Sequence, residues 1–193
     1  MTRRPRARFS QRIEGMVAMK VVFLDFDGVL NSHAYARRLG KEQDVMGLDE
    51  DAMSRLNRLV IDGRAEVIVS SSWRHGRTVH ELRTLLRQAG FNGLVSGKTP
   101  DCAHKPEGGL WHGAMRGNEI QSWLTLAPLY DIDVEQFVII DDDSDMAHLA
   151  DRHIKTAFET GLTDADVDRA VAMLAEARPV LVVPSAEMAL RFT

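Results

Sequence analysis

The sequence of 193 residues predicts an α/β fold in which a mostly parallel β-sheet lies between two layers of helices. Short apolar runs rich in Val and Ile alternate along the chain with longer amphipathic segments. Such alternation is typical of parallel strands joined by right-handed helical crossovers. The chain has the length of one domain, and its hydrophobic content of 45% is enough for a single core. We therefore expect one Rossmann-like three-layer sandwich.

Each element of this fold is predicted by a local pattern. The apolar run at 21–24 predicts the first strand, and the β-branched run within 66–70 predicts the second. Apolar side chains at helical spacing predict the helices, with Asp49 and Thr163 as N-caps. We expect further strands at 91–95, 137–140, 154–158 and 180–183, and helices at 49–62, 78–88, 118–126 and 163–177. The segment 32–46 is too short for a separate cap domain, and 96–117 predicts a long loop.

The amino-terminal end is strongly basic, although the whole chain has a net charge of -4. Its first 20 residues set one acid, Glu14, against the basic residues Arg3, Arg4, Arg6, Arg8, Arg12 and Lys20. No apolar segment follows these charges, which argues against a secretory signal, whereas a transit peptide has a compatible composition. We expect 1–19 to form a basic, disordered arm ahead of a domain at 20–193. The arm either contacts nucleic acid or is an upstream extension without a role.

Cysteine content and hydropathy bear on the location of the protein. The single cysteine, Cys102, excludes an intrachain disulfide and fits a reducing compartment. No apolar run has the length of a transmembrane helix. We therefore expect a cytoplasmic protein with no membrane partner, and the sequence leaves its oligomeric state open.

Polar side chains follow three of the predicted strands at the point where each strand ends. Asp25 and Asp27 follow the first strand, Ser70 to Ser72 end the second, and Asp141 to Asp143 follow the strand at 137–140. Because the carboxyl ends of parallel strands share one edge of a sheet, we expect these side chains to converge there. Gly28 would let the chain turn sharply after the first strand.

The composition of this predicted site suits phosphoryl transfer. Two neighbouring carboxylates repel each other unless a proton or a cation lies between them, and Mg²⁺ prefers oxygen ligands. A carboxylate can also attack phosphorus, while a metal ion and a basic side chain neutralise phosphate oxygens. We therefore expect Mg²⁺ as the cofactor and a phosphorylated molecule as the substrate.

Four short motifs resemble those of the haloacid dehalogenase (HAD) superfamily of phosphohydrolases. Asp25-Phe26-Asp27-Gly28-Val29-Leu30 is similar to the first motif, and Ser71, or its neighbour Ser70, matches the second. Arg116 takes the place of the third motif's basic residue, usually lysine, with Lys98 or Lys105 as alternatives. Asp141-Asp142 matches the fourth motif. The resemblance implies a HAD-like fold with a minimal cap or none.

A narrower resemblance is to the HAD domain of Swiss Army Knife RNA repair proteins. It rests on Ser70-Ser71-Ser72-Trp73-Arg74, on Thr99-Pro100, on the segment from Arg116 to Leu124 and on Gly161-Leu162-Thr163. This resemblance implies that the substrate is a nucleic-acid end, of RNA or DNA, or a nucleotide.

The resemblance also implies a role for each matched residue. Asp25 would be the nucleophile, and Asp27 would protonate the leaving oxygen and then activate water. Ser71 and Arg116 would contact the phosphate, and the other expected substrate-binding residues are Ser70, Ser72, Arg74 and Gly28. Mg²⁺ would be bound by Asp25, by the backbone carbonyl of Asp27 and by Asp142, with Asp141 in support and Asp145 as a further candidate.

Three functions are compatible with these residues. The first is a Mg²⁺-dependent phosphomonoesterase acting on nucleic-acid ends or nucleotides. The second is a small-metabolite phosphatase of the same chemistry, and the third is a non-catalytic nucleic-acid-binding module. Among the other conspicuous residues, we expect Trp73 and Trp123 to pack in the core, Trp111 to be the better candidate for stacking on a base, and Cys102, His104 and His112 not to bind zinc. The pair Arg37-Arg38 faces either an anionic substrate or solvent.

Overall fold

The computed structural model describes residues 17–40, 47–102 and 116–177, and they form a parallel β-sheet flanked by helices. Within these residues the sheet has five strands in the order β3-β2-β1-β4-β5, and every pair of neighbours is parallel. The strands are β1 (Val17–Leu24), β2 (Ala65–Val69), β3 (Val95–Lys98), β4 (Ile132–Asp141) and β5 (His153–Lys155). The predicted α/β class with a parallel sheet is confirmed.

Helices connect the strands as the alternating sequence pattern predicts. They are α1 (His33–Arg38), α2 (Glu50–Gly63), α3 (Val79–Gln88), α4 (Arg116–Leu126) and α5 (Asp164–Ala175). Short 3-10 turns cover Ser72–Arg74, Ala127–Tyr130 and Ala147–Arg152. Asp49 caps α2 by accepting from the backbone N–H of Asp51, and Thr163 caps α5 in a capping box with Asp166. Both predicted N-caps are therefore confirmed.

The core lies on both faces of the sheet, because successive residues of the central strand point to opposite sides. Val22 and Leu24 face the cluster formed with α2, α3 and α5. Val21 and Phe23 face a smaller cluster that includes Ile120 of α4. All four of these β1 side chains are fully buried. The sheet is thus the middle layer of three.

Several boundaries differ from the predicted ones because strand pairing sets them. β1 begins at Val17, inside the segment expected to be an arm, because Val17 pairs with Ile132 at the start of β4. The third strand covers Val95–Lys98 rather than 91–95, since Val95 is the first residue to pair with β2 and Phe91 packs in the core instead. β5 ends at Lys155. The rest of the expected arm, 1–16, and the expected strand at 180–183 lie outside the described residues.

The described part of the connection between β1 and α2 contains little regular structure. Among residues 32–40 and 47–49, the single regular element is the short helix α1. None of the described helices is long and apolar enough to cross a membrane.

Candidate active site

The end of β1 carries the two acids of the first motif. The N–H of Asp25 donates to the carbonyl of Ile140 at 3.0 Å, which continues the β1–β4 pairing one residue past the strand. The chain then turns around the carbonyl of Phe26, which accepts from the backbone N–H of Leu30 at 2.8 Å. Gly28 has a φ of +66°, which favours glycine. The apolar strand and its glycine turn therefore hold Asp25 and Asp27 at the carboxyl edge of the sheet.

The neighbouring strands bring the other predicted residues to the same edge. β2 and β4 flank β1, so Ser70, which follows β2, and Asp141, the last residue of β4, lie beside Asp25. Carboxylate oxygens of Asp25, Asp141 and Asp142 lie within 4.8 Å of one another. A Cβ atom on Gly28 would lie 2.4 Å from Cγ of Asp142, so this approach requires glycine. The convergence predicted from the sequence is present for these three acids.

The carboxylates of these three acids repel one another, and two of them, Asp25 and Asp141, are buried. Asp25 is 5% exposed, and burial raises its pKa, while the charge of Arg116 and a hydrogen bond with Ser71 lower it. Burial, followed by the charge of Asp25, raises the pKa of Asp141 to about 8. Burial and the charge of Asp25 also raise the pKa of Asp142. Oδ2 of Asp141 is buried and has no hydrogen-bond partner among the described residues. A divalent cation would relieve this repulsion, and an oxygen-only donor set fits Mg²⁺.

Arg116, the first residue of α4, faces these acids. Its Nη2 lies 3.7 Å from Oδ1 of Asp25, and its Nε lies 3.1 Å from Oδ2 of Asp141, an ion-pair distance without hydrogen-bond alignment. The backbone N–H of Arg116 donates to Oδ2 of Asp145 at 2.8 Å. A Cβ on Gly117 would lie 2.3 Å from the carbonyl oxygen of Met146. The start of α4 is therefore held tightly against the segment that follows β4.

Two of the other candidates, Lys98 for the basic residue and Asp145 for the metal, do not join the acid cluster. The ammonium group of Lys98 donates to the carbonyls of Arg74 and Arg77, at 3.3 and 2.6 Å. Lys105 lies outside the described residues. Asp145 uses one carboxylate oxygen to cap α4 and is not in the cluster of Asp25, Asp141 and Asp142.

The end of β2 provides a partner for each acid of the first motif. Ser71 forms a hydrogen bond with Asp25 that lowers the pKa of this acid. The indole N–H of Trp73 donates to both carboxylate oxygens of Asp27, at 3.1 and 3.0 Å. Ser72 is exposed at this edge, and the hydroxyl of Ser70 is buried without a partner among the described residues. The role of Trp73 was missed from the sequence, although its position directly after three serines places it at this edge.

Asn31 is a second residue that sequence reasoning missed. Its Nδ2 donates to Oδ1 of Asp27 at 2.8 Å, and its Oδ1 accepts from the backbone N–H of Gly28 at 3.0 Å. The side chain is 2% exposed. Asn31 therefore ties the carboxylate of Asp27 to the glycine turn that follows Asp27.

Arg74 occupies a different position from the expected one. It is 2% exposed, and its guanidinium donates to the carbonyls of Ser70, Ser71, Thr99 and Pro100. The same group forms a buried ion pair with Glu119 at 2.6 Å. These contacts occupy the guanidinium, so the expectation that Arg74 binds phosphate gives way to a positioning role for the ends of β2 and β3. Glu119, also 4.0 Å from Arg116, was not identified from the sequence.

The remaining residues singled out from the sequence lie away from these acids or outside the described residues. Trp123 packs edge-to-face on Phe23 with ring centroids 5.4 Å apart, as expected for a core residue. Arg37 pairs with Glu159, and Arg38 pairs with Asp49 and Asp51, so both arginines have carboxylate partners. The sulfur of Cys102 lies 3.6 Å from the hydroxyl of Ser122. Trp111, His104 and His112 are outside the described residues.

Comparison with known protein families agrees with this geometry. The family model described as the HAD domain in Swiss Army Knife RNA repair proteins matches residues 21–167, which is more than half of the chain. The matched range runs from β1 into α5 and contains all four motifs. Searches of curated proteins and of solved structures find no match. The narrower resemblance noted in the sequence is confirmed, and the chain belongs to the family of HAD domains found in Swiss Army Knife RNA repair proteins.

Proposed function

We propose that the protein is a Mg²⁺-dependent phosphomonoesterase that acts through an aspartyl-phosphate formed on Asp25. Membership of the HAD family implies phosphatase-type hydrolase chemistry and a divalent metal. The observation that carries the proposal is the cluster of the buried Asp25 and Asp141 with the half-buried Asp142, which faces Arg116 and Ser71. Acids with raised pKa values beside a cationic side chain are typical of catalytic sites.

The metal would be held by this chain's acids. Asp25, Asp142 and Asp141 would bind Mg²⁺ through carboxylate oxygens, together with the backbone carbonyl of Asp27. Two observations support this assignment: Oδ2 of Asp141 accepts no hydrogen bond from the described residues, and Gly28 closely approaches Asp142. When bound, Mg²⁺ would neutralise negative charge on the phosphate oxygens.

In the first step a carboxylate oxygen of Asp25 forms a bond to phosphorus, and the bond from phosphorus to the leaving oxygen breaks. The electron pair moves onto the leaving oxygen, which takes a proton from Asp27. Arg116 and Ser71 lie beside Asp25 and would donate to the phosphate oxygens as their charge increases. The exposed Ser72, together with Ser70 and Gly28 at the same edge, would line the substrate's path to Asp25.

In the second step water attacks phosphorus and gives a proton to Asp27. The bond from Asp25 to phosphorus breaks, and the electron pair returns to the Asp25 carboxylate. Asp27 thus ends in its starting protonation state, and inorganic phosphate leaves. Asp27 can act twice because its carboxylate is held next to Asp25 but is more exposed than Asp25.

The proposed substrate is a phosphorylated end of RNA or DNA, or a nucleotide. Two observations support it. The matching family consists of domains from RNA repair proteins. In the described residues between β1 and α2, α1 is the single helix, and a site with so little covering structure would admit a bulky polymer end. A small metabolite remains the competing substrate, and substrate preference separates the two.

The test is phosphate release from a substrate panel in the presence of Mg²⁺. The panel contains 3′- and 5′-phosphorylated oligonucleotides, mononucleotides, sugar phosphates and an aryl phosphate. We expect wild-type protein to prefer the oligonucleotides or nucleotides, to lose activity in EDTA, and to lose it on Asp25→Asn. A strong preference for a sugar phosphate would favour the metabolite phosphatase, and no release from any substrate would contradict the proposed activity.

A further inference from the structure

The carboxylate of Asp27 is held by donors from two different segments. The indole N–H of Trp73 donates to both of its oxygens, and Asn31 donates to Oδ1 at 2.8 Å. Among the described residues, Oδ2 accepts a hydrogen bond only from Trp73, at 3.0 Å. The indole N–H lies almost equally far from both oxygens and so fixes the direction that the carboxylate faces, while the bond from Asn31 to Oδ1 alone fixes the rotation of its plane.

Trp73 is itself held firmly in place. Its backbone N–H donates to the hydroxyl of Ser71 at 3.3 Å, and its carbonyl accepts from Arg77 at 2.7 Å. The indole ring packs edge-on against Phe26 with centroids 5.5 Å apart, and the guanidinium of Arg77 lies 6.0 Å from its centroid. The indole N–H is therefore presented to Asp27 by a side chain that has little freedom to turn away.

We propose that Trp73 is the positioning residue of Asp27: its indole N–H orients this carboxylate so that Oδ2 delivers the proton to the leaving oxygen. The inference rests on the proposed phosphatase function and adds a residue to it. Ser71 forms a hydrogen bond with Asp25, and Trp73 donates hydrogen bonds to Asp27. The segment that follows β2 therefore positions both acids of the first motif. Oδ2 is assigned the proton because it accepts from one side chain, whereas Oδ1 accepts from two.

The test uses the dependence of the rate on the leaving group. An aryl phosphate with a good leaving group expels its oxygen without a proton, whereas a poor leaving group needs the proton from Asp27. The value of kcat/KM reports the steps up to departure of the leaving group. Trp73→Phe keeps an aromatic ring against Phe26 and removes only the N–H donor and part of the ring. A misplaced acid therefore lowers kcat/KM most for the poorest leaving group.

We expect Trp73→Phe to lower kcat/KM by less than about threefold for the best leaving group and by about tenfold or more for the poorest, a part of the 10²–10⁴-fold that general acids contribute. Trp123→Phe is the matched control, since it is the same exchange on a tryptophan that packs on Phe23. It should change kcat/KM equally across the series. An equal loss across the series for Trp73→Phe would overturn the proposal.

A second measurement tests the bond without turnover. In the ¹H–¹⁵N spectrum of the full chain, the indole signal of Trp73 should move upfield on Asp27→Asn, because a neutral amide accepts a weaker hydrogen bond than a carboxylate. The indole signal of Trp123 should stay in place. An unmoved Trp73 signal would overturn the positioning role even for an active enzyme, whereas absence of turnover in the wild-type protein would overturn the proposed function instead.

Discussion

Two buried arginines near opposite ends of the strands have very different partners. Arg152, just before β5, donates to the carbonyls of Phe137 and Met173 and to Oε1 of Gln136, and it pairs with one carboxylate, Glu176. Arg116, at the carboxyl edge, faces several acids. The side chains are similarly buried, at 10% and 14% exposure. Arg152 therefore belongs to a hydrogen-bond network whose groups are satisfied, whereas Arg116 lies beside more negative charge than one guanidinium can balance.

We interpret the surroundings of Arg152 as a structural network and those of Arg116 as part of the proposed active site. Around Arg152 the donors meet oxygens that are mostly neutral, and the network joins β4 to the end of α5. Around Arg116, burial and mutual repulsion raise the pKa of Asp25, Asp141 and Asp142. A group of acids that one arginine does not balance costs stability, and the proposed function gives a reason for that cost. Exchanging each arginine for the same residue tests this distinction.

The largest effect is expected for Arg116→Met. Loss of this guanidinium removes a donor next to the attacking oxygen of Asp25 and should lower kcat/KM by about 10²–10³-fold, as for removal of other charge-stabilising donors. Phosphate release at saturating Mg²⁺ measures it. The control is Arg87→Met on the exposed end of α3, which should leave kcat/KM unchanged. A loss below tenfold for Arg116→Met would mean that another cation performs its role.

The matched exchange Arg152→Met should affect stability and leave catalysis intact. It removes the donor shared by the carbonyls of Phe137 and Met173, and it should lower the free energy of unfolding by about 3 kcal/mol. Urea denaturation measures this loss. At temperatures where the variant is folded, kcat/KM should stay within about twofold of wild type. A large fall in kcat/KM for the folded variant would show that the region around Arg152 is coupled to the acid cluster at the carboxyl edge of the sheet.

The acid cluster also predicts a pH dependence of stability. The pKa of Asp141 is about 8 in the folded protein and near 3.8 when unfolded, so the folded state holds a proton that the unfolded state releases. Stability from this proton is complete below about pH 4 and is lost as pH rises toward 8, by at most about 1.4 kcal/mol per pH unit. We expect the Tm in EDTA to fall between pH 5 and 8, and saturating Mg²⁺ to remove much of the fall.

Asp141→Asn is the variant that isolates this effect. Its Tm should fall less than that of wild type over the same pH range in EDTA. The comparison of the two proteins cancels the contribution of His153, whose pKa is lowered by burial and which titrates in the same range. An equal slope for wild type and Asp141→Asn would show that the buried acid is not the source.

The smallest expected effect is the change in Mg²⁺ affinity caused by Asp27→Asn. Asp27 would lend the metal only its backbone carbonyl, so this variant should keep its Mg²⁺ affinity within about threefold, whereas Asp25→Asn should lose about tenfold or more. The Mg²⁺-dependent rise in Tm reports both affinities. Asp27→Asn should still lack turnover, because it cannot transfer the proton, and it would trap the phosphoenzyme if the first step proceeds. Equal losses of affinity would mean that the two acids share the metal.

The residues of the motifs and the elements that carry them could be predicted because their signals are local. A buried apolar run followed by Asp25 and Asp27, and another followed by Asp141, predict strand ends whatever the rest of the chain does. The parallel sheet then places these ends side by side. β3 was misplaced because its four residues are defined by pairing with β2 rather than by their own pattern.

The contacts that sequence reasoning missed join distant segments. Trp73 meets Asp27 across 46 positions, and Arg74 meets Glu119 across a similar separation. The local sequence pattern indicates only that Trp73 and Arg74 lie near the end of a strand. Which carboxylate accepts its hydrogen bond depends on side-chain packing between β2, the glycine turn and α4, which no local period specifies.

The central position of β1 has a consequence for the order of events during synthesis. β1 leaves the ribosome well before its partner β4, which begins at Ile132, more than 100 residues later. At translation rates of about 5–20 residues per second, one edge of β1 stays without its partner for roughly 5–20 s. The fully apolar stretch Val21 to Leu24 is then open to pairing with other chains. The strand that carries the proposed nucleophile is thus also a segment that a chaperone would protect while the chain is being made.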